Sequence, residues 1–209
     1  MMEAFSKHFD ALQDAILSME VDNNVGKICK CHNAVGVYRC MDCWFPPILC
    51  DSCIKDSHVG NPFHRIQRWN GLYFDRTTLS KLGQVIGLGH HGALCPNRLR
   101  DSKGRAITVV HVNGIHQVLI EFCHCVNAPA EYNQLAKASL FPATVERPAT
   151  AFTFHVLKEF HNLSLTSKIP AYDFINALVN MTNNAFPSEV PVSPFFLLPS
   201  SFQLMTINN

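Results

Sequence analysis

From residue 29 onward the chain runs Cys29-x-Cys31-His32-x7-Cys40-x2-Cys43-x6-Cys50-x2-Cys53-x4-His58-x5-His64. No other feature limits the fold so strongly. Three close cysteine-bearing pairs and a terminal histidine pair supply eight donors, and a two-residue gap lets one tight turn aim two sulfurs at one ion. Structural zinc takes four tetrahedral Cys or His donors, so eight imply two ions. Reduced buried cysteines beside unrelated histidines are the plainer alternative, but paired spacing repeated within so short a stretch argues against it. The first residues carry Glu3, Asp10 and Asp14 where a secretory leader has a basic patch and an unbroken apolar stretch. No apolar run approaches the roughly 18 residues that cross a bilayer. The cysteines are therefore expected in a reducing compartment, where close pairs hold metal more often than they form disulfides.

By analogy with cross-braced zinc modules, the first and third pairs share one ion and the second and fourth share the other. Cys29 with Cys31 or His32 then joins Cys50 and Cys53, while Cys40 and Cys43 join His58 and His64. The first pair stays open: Cys29 and His32 have the ideal gap, whereas Cys31 is the better thiolate. Histidines at the end of the ligand order resemble a B-box zinc finger more than a RING finger, so ubiquitin-ligase activity is not expected. The zinc is expected to be structural, because catalytic zinc keeps an open position and a nearby general base. A second group comprises His90, His91, Cys95 and the pair Cys123-x-Cys125. It forms either a third zinc site or a set of buried free thiols. His111 and His116 read as a satisfied core pair or as cross-strand ligands.

Around these donors the chain divides into an amphipathic helix within 1–24, a zinc module over 25–75, a mixed segment over 76–184 and an irregular proline-rich tail over 185–209. The first helix places Phe5, Phe9, Leu12, Ile16 and Met19 on one face. Residues 106–112 and 115–122 predict a β-hairpin turning at Asn113-Gly114, with His111 facing His116, Val109 facing Val118, Ile107 facing Ile120 and Cys123 across from Gly104. Helices are predicted over 150–162, with Thr150 as N-cap, and over 171–183, after Pro170. The expected class is α+β: a zinc-stabilised, cross-braced module followed by a hairpin and C-terminal helices.

Several stretches in one order carry a family resemblance: YRCMDC (38–43), LCDSC (49–53), H-x5-H-x4-WNG (58–71), LGH (88–90), NGIHQV (113–118), FCHC (122–125), LFPAT (140–144), TFHVLKEFHNLSLTSK (153–168) and YDFINAL (172–178). Over roughly residues 25–184 the chain resembles the cysteine cluster associated with KDZ transposases, the CxC-type domain of the second kind found in fungal transposons. The resemblance implies a zinc-stabilised accessory domain that precedes a DDE-type, RNase H-like transposase core, and a nuclear location. The chain is expected to be truncated before that core. The family's first pair is C-x2-C against C-x-C here, which keeps Cys31 and His32 both open.

Net charge is only +1, yet residues 55–105 hold nine basic against three acidic side chains. Arg65, Arg68, Arg76, Lys81, Arg98 and Arg100, with Trp69 for stacking, are candidates for contacting nucleic acid; Lys55, Lys103, Arg105 and Tyr73 lie in the same stretch. A solvated basic face around the zinc sites is the alternative. The expected function is a non-catalytic zinc-binding accessory domain assisting DNA recognition or transposase assembly. The competing expectation is a B-box-like protein-interaction module whose N-terminal helix pairs with a second copy or with the transposase core. No Walker loop, serine-nucleophile elbow or HExxH motif occurs, and the acidic residues are scattered, so neither an enzyme nor a small-molecule substrate is expected, and no membrane partner either.

Overall fold

A computed structural model describes residues 5–18, 20, 23–98 and 102–191 of the chain. The described residues form an α+β structure with five α-helices and two sheets. After helix α1 (Phe9–Ser18), strand β1 (Tyr38–Cys40), helix α2 (Asp51–Ser57) and strands β2 (Ile66–Trp69) and β3 (Phe74–Thr77) build the metal module. Its three strands run antiparallel in the order β1-β2-β3. The module's small core consists of Tyr38, Leu49, Ile54, Ile66 and Leu79 together with Cys29, Cys40 and Cys50. Three of those eight buried residues are cysteines, so the packing of the module depends on what the sulfurs do.

The second unit is a mixed five-stranded sheet in the order β4-β6-β5-β8-β7, made from β4 (Val85–Gly87), β5 (Arg105–His111), β6 (Gly114–Glu121), β7 (Leu140–Pro142) and β8 (Thr150–Thr153). Both faces are covered. On one, Val110, Ile115 and Phe152 pack under helices α4 (Phe154–Ser167) and α5 (Ala171–Thr182), through Val156, Leu157, Phe174 and Leu178. On the other, Ile107, Val109, Val118 and Ile120 pack against Leu135 of helix α3 (Glu131–Lys137) and against Phe63, which the metal module contributes. That shared face fixes the metal module against the sheet. Among the described residues, no helix is long and apolar enough to cross a membrane.

Three expectations change. The hairpin forms, but its register is Val109↔His116, Ile107↔Val118 and His111↔Gly114, so Val112 and Asn113 make the turn. The reason lies in Gly114: its φ is +140, and a Cβ there would sit 2.8 Å from Oγ1 of Thr182 at the end of α5. Glycine is needed for that approach, and the turn follows one residue earlier. The ladder ends at Arg105↔Ile120, so Cys123 lies beyond it and not across from Gly104. The predicted 150–162 helix is split. Residues 150–153 form strand β8, parallel to β5, because Ala151 and Phe152 bury completely in the sheet. The helix starts at Phe154 with Thr153, not Thr150, as its cap; the Val156 N–H donates to Oγ1 of Thr153 at 3.3 Å.

Helix α4 ends where Lys168 adopts φ +52, and Pro170 opens α5 close to the predicted position. Helix α1 lies in the predicted segment, with Phe5, Phe9, Leu12 and Ile16 exposed and none of its own residues buried. Met19 lies outside the described residues, as do residues 192–209 of the expected tail. Of that tail, Pro187–Glu189 forms a 3-10 turn and Val190 packs into the main core.

Candidate metal centres

Three groups of four side chains bring their donor atoms within 4.8 Å of one another: Cys29, Cys31, Cys50 and Cys53; Cys40, Cys43, His58 and His64; and His90, Cys95, Cys123 and Cys125. The first two interleave along the chain as the cross-brace analogy expects. Cys31, not His32, joins the first group; His32 is exposed, with φ +61. No group includes His91, which is exposed in the strained turn beside His90.

Local structure places the donors. Cys29 and Cys31 flank a turn in which the His32 N–H donates to the Cys29 carbonyl at 2.8 Å. Cys50 and Cys53 sit at the start of α2, and His58 at its end. The His58 ring hydrogen-bonds the Ile54 carbonyl through Nδ1 at 2.7 Å, which turns Nε2 toward Cys43 Sγ at 3.4 Å. This is the outer contact that fixes the tautomer of a metal-binding histidine. His64 faces Cys40 and Cys43 through Nδ1, at 3.4 Å to each sulfur. In the third group the chain leaving β4 turns at Gly89, φ +108, where a Cβ would lie 3.2 Å from that of Cys123. His90 follows at φ +44 and presents Nε2 to Cys123 and Cys125 at 3.3 and 3.5 Å.

These spacings match a tetrahedron around zinc. With Zn–S of about 2.3 Å and Zn–N of about 2.0–2.1 Å, neighbouring sulfurs lie about 3.8 Å apart and sulfur and nitrogen about 3.6 Å apart. The observed sulfur–sulfur distances are 3.6 Å for Cys31–Cys50 and 3.9 Å for Cys95–Cys123 and Cys95–Cys125. All nine cysteines are free. The donor sets therefore fit a divalent thiolate-binding ion such as zinc, and the protein fills all four positions in each.

The electrostatics carry the same requirement for a cation. A hydrogen bond from Ser52 and the Cys53 N–H lower the Cys50 thiol to about 6, while the neighbouring Cys31 and Cys50 thiols push Cys53 up to about 12. Burial raises Cys40 to about 12. The His124 N–H lowers Cys95 to about 6, and the thiol of Cys123 raises Cys125 to about 11. Sulfurs this close cannot all ionise on their own; a shared cation removes the conflict.

Contacts around the donors went unforeseen in the sequence. Asp42, between Cys40 and Cys43, accepts from the Arg65 backbone at 2.6 Å and from its guanidinium at 2.6 and 3.1 Å. Burial opposes ionisation of Asp42, yet the Arg65 hydrogen bonds hold its carboxyl below the usual range. Buried Gln134 grips Cys123 at both backbone groups, accepting from its N–H at 2.7 Å and donating to its carbonyl at 3.1 Å. Its position nine residues from the nearest cysteine in sequence, Cys125, left no motif to find it by.

His111 and His116 join no metal group among the described residues. Their rings lie 6.4 Å apart; His111 bonds Thr153 and His116 bonds Asn113. Of the basic candidates, Arg65 is committed to Asp42, Lys55 to Asp51 and Arg105 to Glu131. Arg68, Arg76, Lys81 and Lys103 are exposed, Arg98 is half-buried, and Trp69 packs edge-on against Phe74 with ring centroids 5.1 Å apart. Tyr73 is exposed, and Arg100 lies outside the described residues.

A family model for the CxC2-like cysteine cluster associated with KDZ transposases matches residues 79–186, just over half of the chain. The matched span covers the five-stranded sheet, α3 to α5 and the third donor group, and begins after the first two groups. No curated protein and no solved structure matches the chain. The chain belongs to the family of CxC2-like cysteine clusters associated with KDZ transposases.

Proposed function

We propose that this chain is a non-catalytic, zinc-stapled accessory domain of a KDZ-type transposase, which assists DNA recognition or assembly of the transposase in the nucleus. The carrying observation is that each of the three donor groups has four protein ligands at tetrahedral spacing. A closed site holds the backbone in place but offers no position for a substrate or an activated water. The first two groups act as a cross-braced module of the B-box kind, and the third clips the loop after β4 to the end of the hairpin.

Nucleic-acid contact is supported by the exposed Arg68 and Arg76 on strands β2 and β3 of the module and by the exposed Lys81 and Lys103 that follow it in sequence. The test is equilibrium binding of the zinc-loaded chain to duplex and single-stranded DNA across a salt series. Affinity that falls steeply with salt supports the reading, because phosphate contacts release counterions. Absent binding overturns the DNA role. A second reading, protein interaction, is favoured by α1, which exposes Phe9, Leu12, Ile16 and Leu17 and buries none of its residues. Concentration-dependent self-association without DNA binding is the outcome that supports it.

A further inference from the structure

Where the three-stranded sheet meets the hairpin, the two units enclose a cleft of about 210 Å³. Its charged lining residues are Arg65 and Arg76, and no aspartate or glutamate lines it. The rest of the lining is neutral side chains and the histidines His64 and His116, and Asp42 pairs with Arg65 just behind the wall, so Arg76 brings most of the cleft's net positive charge. Both guanidiniums are held from behind. Arg65 gives Nε and Nη2 to Asp42, whose side chain is 14% exposed, and among the described residues its Nη1 makes no hydrogen bond. Arg76 gives Nη1 to the Thr182 carbonyl at 2.8 Å, which leaves Nε and Nη2. Gln67 accepts from Arg39 through Oε1 and keeps its amide hydrogens, and the Gln117 side chain is exposed on the same wall.

Anchored guanidiniums with spare N–H groups suit a compact oxyanion, since their planar fork matches phosphate oxygens at little further entropic cost. The recessed shape selects among phosphates. A phosphodiester inside a duplex is flanked by sugars on both sides and meets a protein along an open surface, whereas a terminal phosphate can enter a cleft. N–H donors on two walls also suit the three terminal oxygens of a monoester better than the two free oxygens of a diester. We propose that this cleft binds a phosphomonoester, the terminal phosphate of a nucleic-acid strand or of a mononucleotide, with Arg65 and Arg76 as its guanidinium contacts. In its choice of ligand the proposal rests on the nucleic-acid reading above.

The test uses the zinc-loaded full chain and short single strands of one sequence ending in 5′-phosphate, 3′-phosphate or hydroxyls, with adenosine monophosphate and inorganic phosphate titrated separately by calorimetry. A phosphorylated strand is expected to bind about tenfold more tightly than the hydroxyl-ended strand, the gain from a charge-assisted contact. Arg76→Gln is expected to abolish that difference with zinc content and circular dichroism unchanged. Gln117→Glu, which adds a negative charge to an exposed position on the wall, is expected to abolish it too, and guards against a folding defect at Arg76. Equal affinity for all three strand ends, or a preference that survives both substitutions, overturns the proposal. Strand binding without end preference overturns the cleft alone and leaves the nucleic-acid reading in place. Binding of monophosphate and phosphate that depends on Arg76, without affinity for strands, supports the cleft and overturns that reading.

Discussion

The side-chain amide of Asn113, at the hairpin turn, donates to Asp42, the residue two positions after Cys40 and one before Cys43, at 3.2 Å. The same amide donates to the Phe63 carbonyl, next to His64, at 3.0 Å. One side chain of the sheet thus holds both arms of the second donor group. Whatever orders those donors also orders the face where Phe63 packs against the sheet.

Asn113→Ala removes both contacts together with the one between Asn113 Oδ1 and His116, and leaves Asp42 with Arg65 alone. Stability to urea is expected to fall by about 1–2 kcal/mol, the cost of lost partly buried hydrogen bonds, with metal content retained. Asp42→Asn removes the negative charge opposite Arg65 and turns one acceptor oxygen into a donor facing other donors, and is expected to cost more, about 2–3 kcal/mol. Equal stability of all three chains contradicts the coupling.

Gln134→Ala frees both backbone groups of Cys123 and should affect the third donor group alone. Contacts around metal ligands are typically worth about 10–100-fold in affinity. Competition with a graded series of chelators is expected to release one ion per chain early in the variant, while the other two leave as in the parent.

Cys31→Ser is expected to remove one ion per chain, and His32→Ala none. Metal counting of the two purified variants decides between them. Loss of an ion from His32→Ala contradicts the placement of Cys31 in the first group.

Burial, with His111 nearby, lowers the His116 imidazole to about 4. Unfolded histidine titrates near 6.5, so the unfolded chain takes up the proton first as pH falls. The stability that neutral His116 contributes is therefore whole above about pH 6.5 and is lost progressively between about 6.5 and 4. Comparing the parent with His116→Gln cancels the protonation of metal donors, which both chains share. The stability difference is expected to shrink by about 1.5 kcal/mol between pH 6.5 and pH 5. A difference constant across that range contradicts a neutral buried ring.

The donor groups were legible because ligand spacing is local: a pair two residues apart declares itself without knowledge of the fold. Cys31 and His32 could not be separated that way, since the choice depends on which way one turn points the chain. The hairpin was legible from Asn113-Gly114, but the dipeptide misplaced its register. Gly114 answers to Thr182 at the end of α5, and that contact is not written in the turn. Residues 150–153 read as helix because their neighbours are helical; Phe152 becomes a strand residue only where β5 is available to pair with it. Gln134 carried no signal, and Asn113 none beyond the turn, because a lone amide gains its meaning from the groups that the fold brings to it.

The most direct measurement is zinc per chain by elemental mass spectrometry, on protein purified without added metal, while a chelator is titrated and circular dichroism recorded. The account predicts close to three zinc ions per chain, with loss of the metal module's structure as the first two groups are emptied. Substoichiometric metal in a chain whose fold and stability do not change on chelation would contradict it.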